Sequence, residues 1–119
     1  MDRKALIRAY KDARRPMGVF GVRNTVNGRM FIGTTVDLPS MLNRQRAQLR
    51  MGGHESKDLQ RDWNTLGPDA FAFEVVDTLE VPDDPAYDAS FDLKALGGLW
   101  FDKLQPYGDA GYHPKPKGR

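Results

Sequence analysis

Apolar residues recur along the chain with two periods, and the points where the period changes divide it into elements. In residues 2–14, Ala5, Leu6, Ala9 and Tyr10 fall on one stripe, the spacing of an amphipathic helix that Pro16 ends. Residues 17–35 then read as a hairpin: Val19-Phe20-Gly21-Val22 and Met30-Phe31-Ile32 flank "NTVNG". Asn27-Gly28 is the turn signal, since both residues tolerate positive φ. Asp37 and Pro39 suit the first turn of a helix over 38–51, which Gly52-Gly53 stops. A second helix over 56–66 places Leu59, Trp63 and Leu66 on its buried stripe and ends at Gly67-Pro68. Residues 70–79 return to period two, with Phe71, Phe73 and Val75 alternating against Ala72, Glu74 and Val76. After the acidic loop "EVPDDPAYDAS", Leu93, Leu96, Trp100 and Leu104 set a last helix over 91–105. The order predicts one small α/β domain over 1–112, with about three mostly antiparallel strands flanked by about four helices. Residues 113–119, "HPKPKGR", read as a basic mobile tail.

Composition narrows the chemistry. With 119 residues and no cysteine, the chain makes one compact domain and has no disulfide, thiolate metal site or thiol nucleophile. No run approaches the ~20 apolar residues of a membrane span, and nothing marks the N-terminus for export, so a cytoplasmic protein without a membrane partner is expected. Net charge is +2, but unevenly placed. Residues 1–61 carry 13 lysine or arginine side chains against 5 aspartate or glutamate, while the remainder is acidic. A basic half suits a polyanion-facing surface or, more plainly, solvated helix faces.

Four segments, in order, carry a further pattern. Gly18-Val19-Phe20 and Phe31-Ile32-Gly33, the latter followed by "TTVDL", lie on the two hairpin strands. "GGHESKDLQRDWNTLGPDAFAFEVVDTLE" and "LWFDKLQPYGDAGYH" follow at matching distances. Together they resemble the GIY-YIG nuclease domain, in its homing-endonuclease branch, over nearly the whole chain. The resemblance implies phosphodiester hydrolysis at one divalent metal. In that family the work is shared by a tyrosine on each hairpin strand, an arginine on the next helix, a histidine, and a glutamate on the last helix. A phenol positions or deprotonates water, an arginine fork holds phosphate, and a glutamate oxygen ligates Mg²⁺.

Carried over position by position, the chain departs from that set. Phe20 and Phe31 stand at the tyrosine positions, Met41 at the arginine and Gly97 at the glutamate. Gln45 stands where many members have a second histidine, and His113 replaces the asparagine of Gly-Tyr-Asn. His54 alone keeps the catalytic residue type. Phe20 and Phe31 are read as strand core at a vacated site, or as a stacking surface for a base. His54 reads as a loop residue meeting solvent or capping the next helix. Gly97-Gly98 cost a helix roughly 2 kcal/mol relative to two alanines and read as close packing, a kink or drift. Asp88, Asp92 and Asp102 are solvated carboxylates or, at the outside, a new metal set.

No catalytic residue or metal ligand is therefore assigned and no cofactor is expected. The expectation is a degenerate GIY-YIG-like domain that binds nucleic acid, DNA in the first instance, as a pseudoenzyme or accessory module. The nucleic-acid-binding candidates are Arg23 and Arg29 on the hairpin, Arg44, Arg46 and Arg50 on the following helix, and His54 with Lys57 and Arg61 near it. The alternative is a divergent Mg²⁺-dependent endonuclease using His54, His113 and a carboxylate not yet identified.

Overall fold

The computed structural model of the protein describes residues 2–6 and 15–116. Residues 3–6 are helical, and the remainder of the helix expected over 2–14 lies outside the described residues. The first strand, β1 (Gly18–Asn24), is central in a three-stranded antiparallel sheet, with β2 (Met30–Thr35) on one side and β3 (Phe71–Thr78) on the other. Helices α1 (Leu38–Met51) and α2 (Lys57–Leu66) join β2 to β3, and α3 (Ser90–Leu104) follows. Short 3-10 turns cover Pro68–Ala70 and Gly108–Ala110. No described helix is long and apolar enough to cross a membrane.

The helix ends follow from side chains that satisfy free backbone groups. Asp37 Oδ1 accepts from Ser40 N at 3.2 Å, with Pro39 in the first turn, and Gly52 closes α1 at φ 80°. Ser56 caps α2 by accepting from Leu59 N at 3.2 Å. The hairpin differs from its expectation in detail. Gly28 takes positive φ but Asn27 does not. Asn24 shapes the turn, its side-chain oxygen accepting from Val26 N at 2.9 Å.

Alternation along β1 sends its residues to two layers. Phe20 and Val22 join Phe31, Leu38, Leu49, Leu59, Trp63, Phe71 and Tyr112 in one core beneath α1 and α2. Residues of the opposite parity, with Thr34 on β2, face α3. A bulge shifts β3, so that Phe20 pairs with Val75 and Val19 with Asp77. Val75 keeps the face of Phe20 yet is 47% exposed, and Val76 lies against Gly21 on the other face; the alternation shifts only beyond Val76, where Asp77 joins the face of Val19. Leu66 is likewise on the surface. Gly97 brings α3 close to the sheet: a Cβ there would stand 2.8 Å from Thr34 Cγ2, whereas one at Gly98 would meet nothing within 4 Å. Close packing thus accounts for the first glycine of the pair and not for the second.

Candidate functional site

Positions far apart in the chain converge on one cleft beside β2. Phe20, Phe31, Met41, Gln45, Gly97 and His113 all line it, in a volume of about 890 Å³. His54 lies immediately behind, edge-on to Phe31 with ring centroids 4.9 Å apart. The geometry unites the seven positions, and it also shows what each side chain does there.

Both strand phenylalanines are core. Phe20 is 4% exposed, and its ring covers Gly33, where a Cβ would stand 2.8 Å from it. Phe31 is packed between two imidazoles, stacked on His113 at 4.7 Å and edge-on to His54. Neither ring has a free face, so the stacking surface considered for them is not there.

Each histidine is held in one tautomer. His54 Nδ1 accepts from Ser56 N at 3.0 Å, which leaves the proton on Nε2, donated to Gln45 Oε1 at 2.6 Å. Gln45 in turn reaches Met41 Sδ at 3.5 Å, and His54 N donates to Gln60 Oε1. His54 is thereby buried and fully occupied in fixing the loop that opens α2, with no contact to solvent of the kind considered for it. His113 Nε2 accepts from Ile32 N at 3.0 Å, placing its proton on Nδ1. His113 N also donates to Pro106 O, so the chain is held in place through this residue.

Burial pushes the pKa of both rings below the usual 6.5, partly offset by the Glu55 charge. Each accepts a backbone N–H through a lone pair that a proton would occupy. A depressed folded-state pKa means that this stability is complete above 6.5 and is lost as pH falls below 6.5 through the folded values. Thermal unfolding is therefore expected at lower temperature at pH 5 than at pH 7.5. The His54→Gln variant should show a smaller pH-dependent drop; an identical drop in both proteins would exclude the histidines as its source.

The basic candidates separate into distinct groups. Arg44 is exposed and lines the cleft, joined by Lys94 from α3, which the sequence did not single out. Arg46 instead lies over the Phe73 ring at 4.5 Å. Arg50 is exposed and does not line the cleft. Arg23 pairs with Glu74 at 2.6 Å, and Arg61 with Asp58 at 3.3 Å. Lys57 lines a smaller adjoining hollow.

Arg29 is structural. Its Nε and Nη2 donate to Gly111 O at 3.2 and 3.0 Å, its Nη1 to Asp62 at 3.2 Å, and its guanidinium lies over the Tyr112 ring at 4.3 Å. Tyr112 OH donates to Asp62 at 2.7 Å and accepts from Asn24 Nδ2 at 3.1 Å. Burial and the Asp62 charge push the Tyr112 phenol up to about 12, against the opposing Asn24 bond, so it remains a donor. This clasp went unnoticed in the sequence; the only signal was "GYH" placed late in the chain.

The donor set does not fit a divalent metal. Gly97 supplies no oxygen, and among the described residues no three His, Cys, Asp or Glu side chains are grouped to hold an ion. Asp88 caps Ser90, Asp92 bonds Tyr87, and Asp102 is exposed and lines a neighbouring hollow; none lines the cleft. Glu55 is the carboxylate that does.

No protein-family model and no curated protein matches the sequence. The fold is found in solved structures. It matches the catalytic domain of intron endonuclease I-TevI, as a point mutant, with TM-score 0.66 and 22% identity over 82% of this chain and 92% of that one. It matches the catalytic domain of the homing endonuclease I-TevI with TM-score 0.65 and 25% identity over 81% of this chain and 95% of that one. The α/β architecture, its antiparallel sheet order and the convergence of the family's site positions on one cleft agree with that likeness: the chain has the GIY-YIG fold.

Proposed function

We propose that this domain binds nucleic acid in the β2 cleft and does not hydrolyse it. The observation that carries the reading is the lining itself. Arg44 and Lys94 offer positive charge, Glu55 is the one acidic residue among the lining residues, and neither phenol nor carboxylate stands where the resemblance expects one. Phosphate backbone needs positive charge for affinity, whereas hydrolysis at a metal needs hard oxygen ligands. Two solved structures with this fold are catalytic domains of a homing endonuclease, which favours DNA as the polymer.

Binding is measured by fluorescence anisotropy of labelled duplex DNA across a salt series. Each phosphate contact contributes a slope of about −0.9 in log K against log salt. The Arg44→Ala/Lys94→Ala variant is expected to lose about two contacts' worth of slope, while Arg46→Ala/Arg50→Ala keeps most of it. Equal slopes in wild type and the first variant would place binding elsewhere. Supercoiled plasmid should remain uncut in Mg²⁺ or Mn²⁺. Cleavage abolished by EDTA and by Glu55→Gln would instead establish the hydrolytic alternative, for which Glu55, whose charge acts on both histidines, is the available carboxylate.

A further inference from the structure

We infer that the cleft takes an unpaired nucleotide, its base against the Phe101–His113 pair and its phosphate between Arg44 and Lys94. This rests on the nucleic-acid reading above and goes beyond it by naming a single strand, or a base displaced from a duplex, as the form bound. Phe101 is half-buried and lines both this cleft and the neighbouring hollow, forming the ridge between them. Its ring meets His113 edge-on at 4.8 Å, and Tyr107 supports it at 6.2 Å, so its position is fixed before any ligand arrives. Unlike Phe20 and Phe31, it retains open surface. Every base has a π-face, so an aromatic residue fixed beside positive charge suits a single strand of any sequence.

His113 Nε2 is committed to the Ile32 N–H, so Nδ1 carries the proton. That Nδ1–H has no partner among the described residues, and none of their buried polar side-chain atoms is left unsatisfied, so the group lies at the surface. It is a donor of fixed identity, matched to a base carbonyl or a phosphate oxygen. The cleft volume, about 890 Å³, falls within the roughly 300–1,000 Å³ of small-molecule sites. A duplex keeps its base faces stacked on one another and cannot offer one to Phe101.

The test uses a short oligodeoxynucleotide with one 2-aminopurine, alone and as a perfect duplex. Binding of the single strand is expected to quench the 2-aminopurine fluorescence and to be tighter than binding of the duplex at equal salt. Phe101→Ala should weaken single-strand binding about fivefold or more and leave duplex affinity within about twofold. Phe101→Leu, which keeps apolar packing but no aromatic face, covers the case in which the alanine variant does not fold. Phe101→Tyr should retain the quench. Equal affinity for both forms with no quench, or single-strand affinity unaltered in Phe101→Leu, would overturn the inference while leaving duplex binding intact. Binding of neither form would remove the nucleic-acid reading itself.

Discussion

The Arg29→Met variant is expected to lose about 3 kcal/mol of stability, with a fall in melting temperature on the order of 10–20 °C. The side chain makes three hydrogen bonds to Gly111 and Asp62 and a face contact with Tyr112. Arg29 and Asp62 side chains are 18% and 19% exposed, so water screens the pair only in part. Methionine fills much of the volume but leaves Asp62 with the Tyr112 hydroxyl alone and takes both donors from Gly111 O. Breaking a buried pair costs about 3–5 kcal/mol, and the residual exposure puts this case at the low end. Lysine keeps the charge without the planar fork, so Arg29→Lys should recover less than half of the loss. Arg50→Met, on an exposed helix face, serves as the comparison and should change stability by less than about 0.5 kcal/mol. If both methionine variants melt alike, the clasp contributes nothing and Arg29 returns to the list of nucleic-acid contacts.

The second large effect is at Gly97. Helix propensity alone favours Gly97→Glu by under about 1 kcal/mol, yet the substitution is expected to destabilise by about 1–3 kcal/mol. The new Cβ would stand 2.8 Å from Thr34 Cγ2, a short β-branched side chain on a strand with little freedom to yield. Thr34→Ser removes that methyl group and should restore most of the loss, a strongly non-additive pair in a double-mutant cycle. Gly98→Ala, with nothing nearby, should stabilise by up to about 1 kcal/mol and shows that the helix itself tolerates the change. In the Gly97→Glu/Thr34→Ser background, adding Phe20→Tyr, Phe31→Tyr and Met41→Arg is expected to confer Mn²⁺ affinity measurable by calorimetry, which no single replacement provides. A folded variant without added metal affinity would mean that position 97 does not direct its side chain into the cleft.

Most of the fold was legible because its elements are bounded by residues with local physical reasons: Asp37 as a cap, Gly52 and Gly67 as stops, Gly28 in the turn. The errors lie where a neighbour in space overrides the pattern. The bulge opposite Val19 and Phe20 carries Asp77 to the α3 face, where it accepts from Trp100 Nε1, and no residue of β3 announces it. The residues singled out through the four ordered segments line one cleft, with His54 behind it. Which cations are free was not legible, since Arg29 and Arg44 look alike in sequence and differ only in what Asp62, Gly111 and Tyr112 place around them. Lys94 and Phe101 were missed for the related reason that helical spacing in α3 was read only for its buried stripe.

The sheet closes its two sides by different means. At β3, the charges of Glu74 and Asp77 and the bulge discourage pairing with another chain. At β2, residues 107–113 do so: Tyr112 N bonds Met30 O, His113 accepts from Ile32 N, and Gly111 bridges to Met30. That cover is separated from the strand it protects by some eighty residues of chain. During synthesis the hairpin and both following helices leave the ribosome with β2's hydrogen-bonding groups bare, and they stay bare until the Gly-Tyr-His segment emerges. The last wall of the cleft and the shield against intermolecular strand pairing are therefore completed in the same late step of folding. A nascent chain stalled before Tyr112 would both lack the complete cleft and be prone to aggregate.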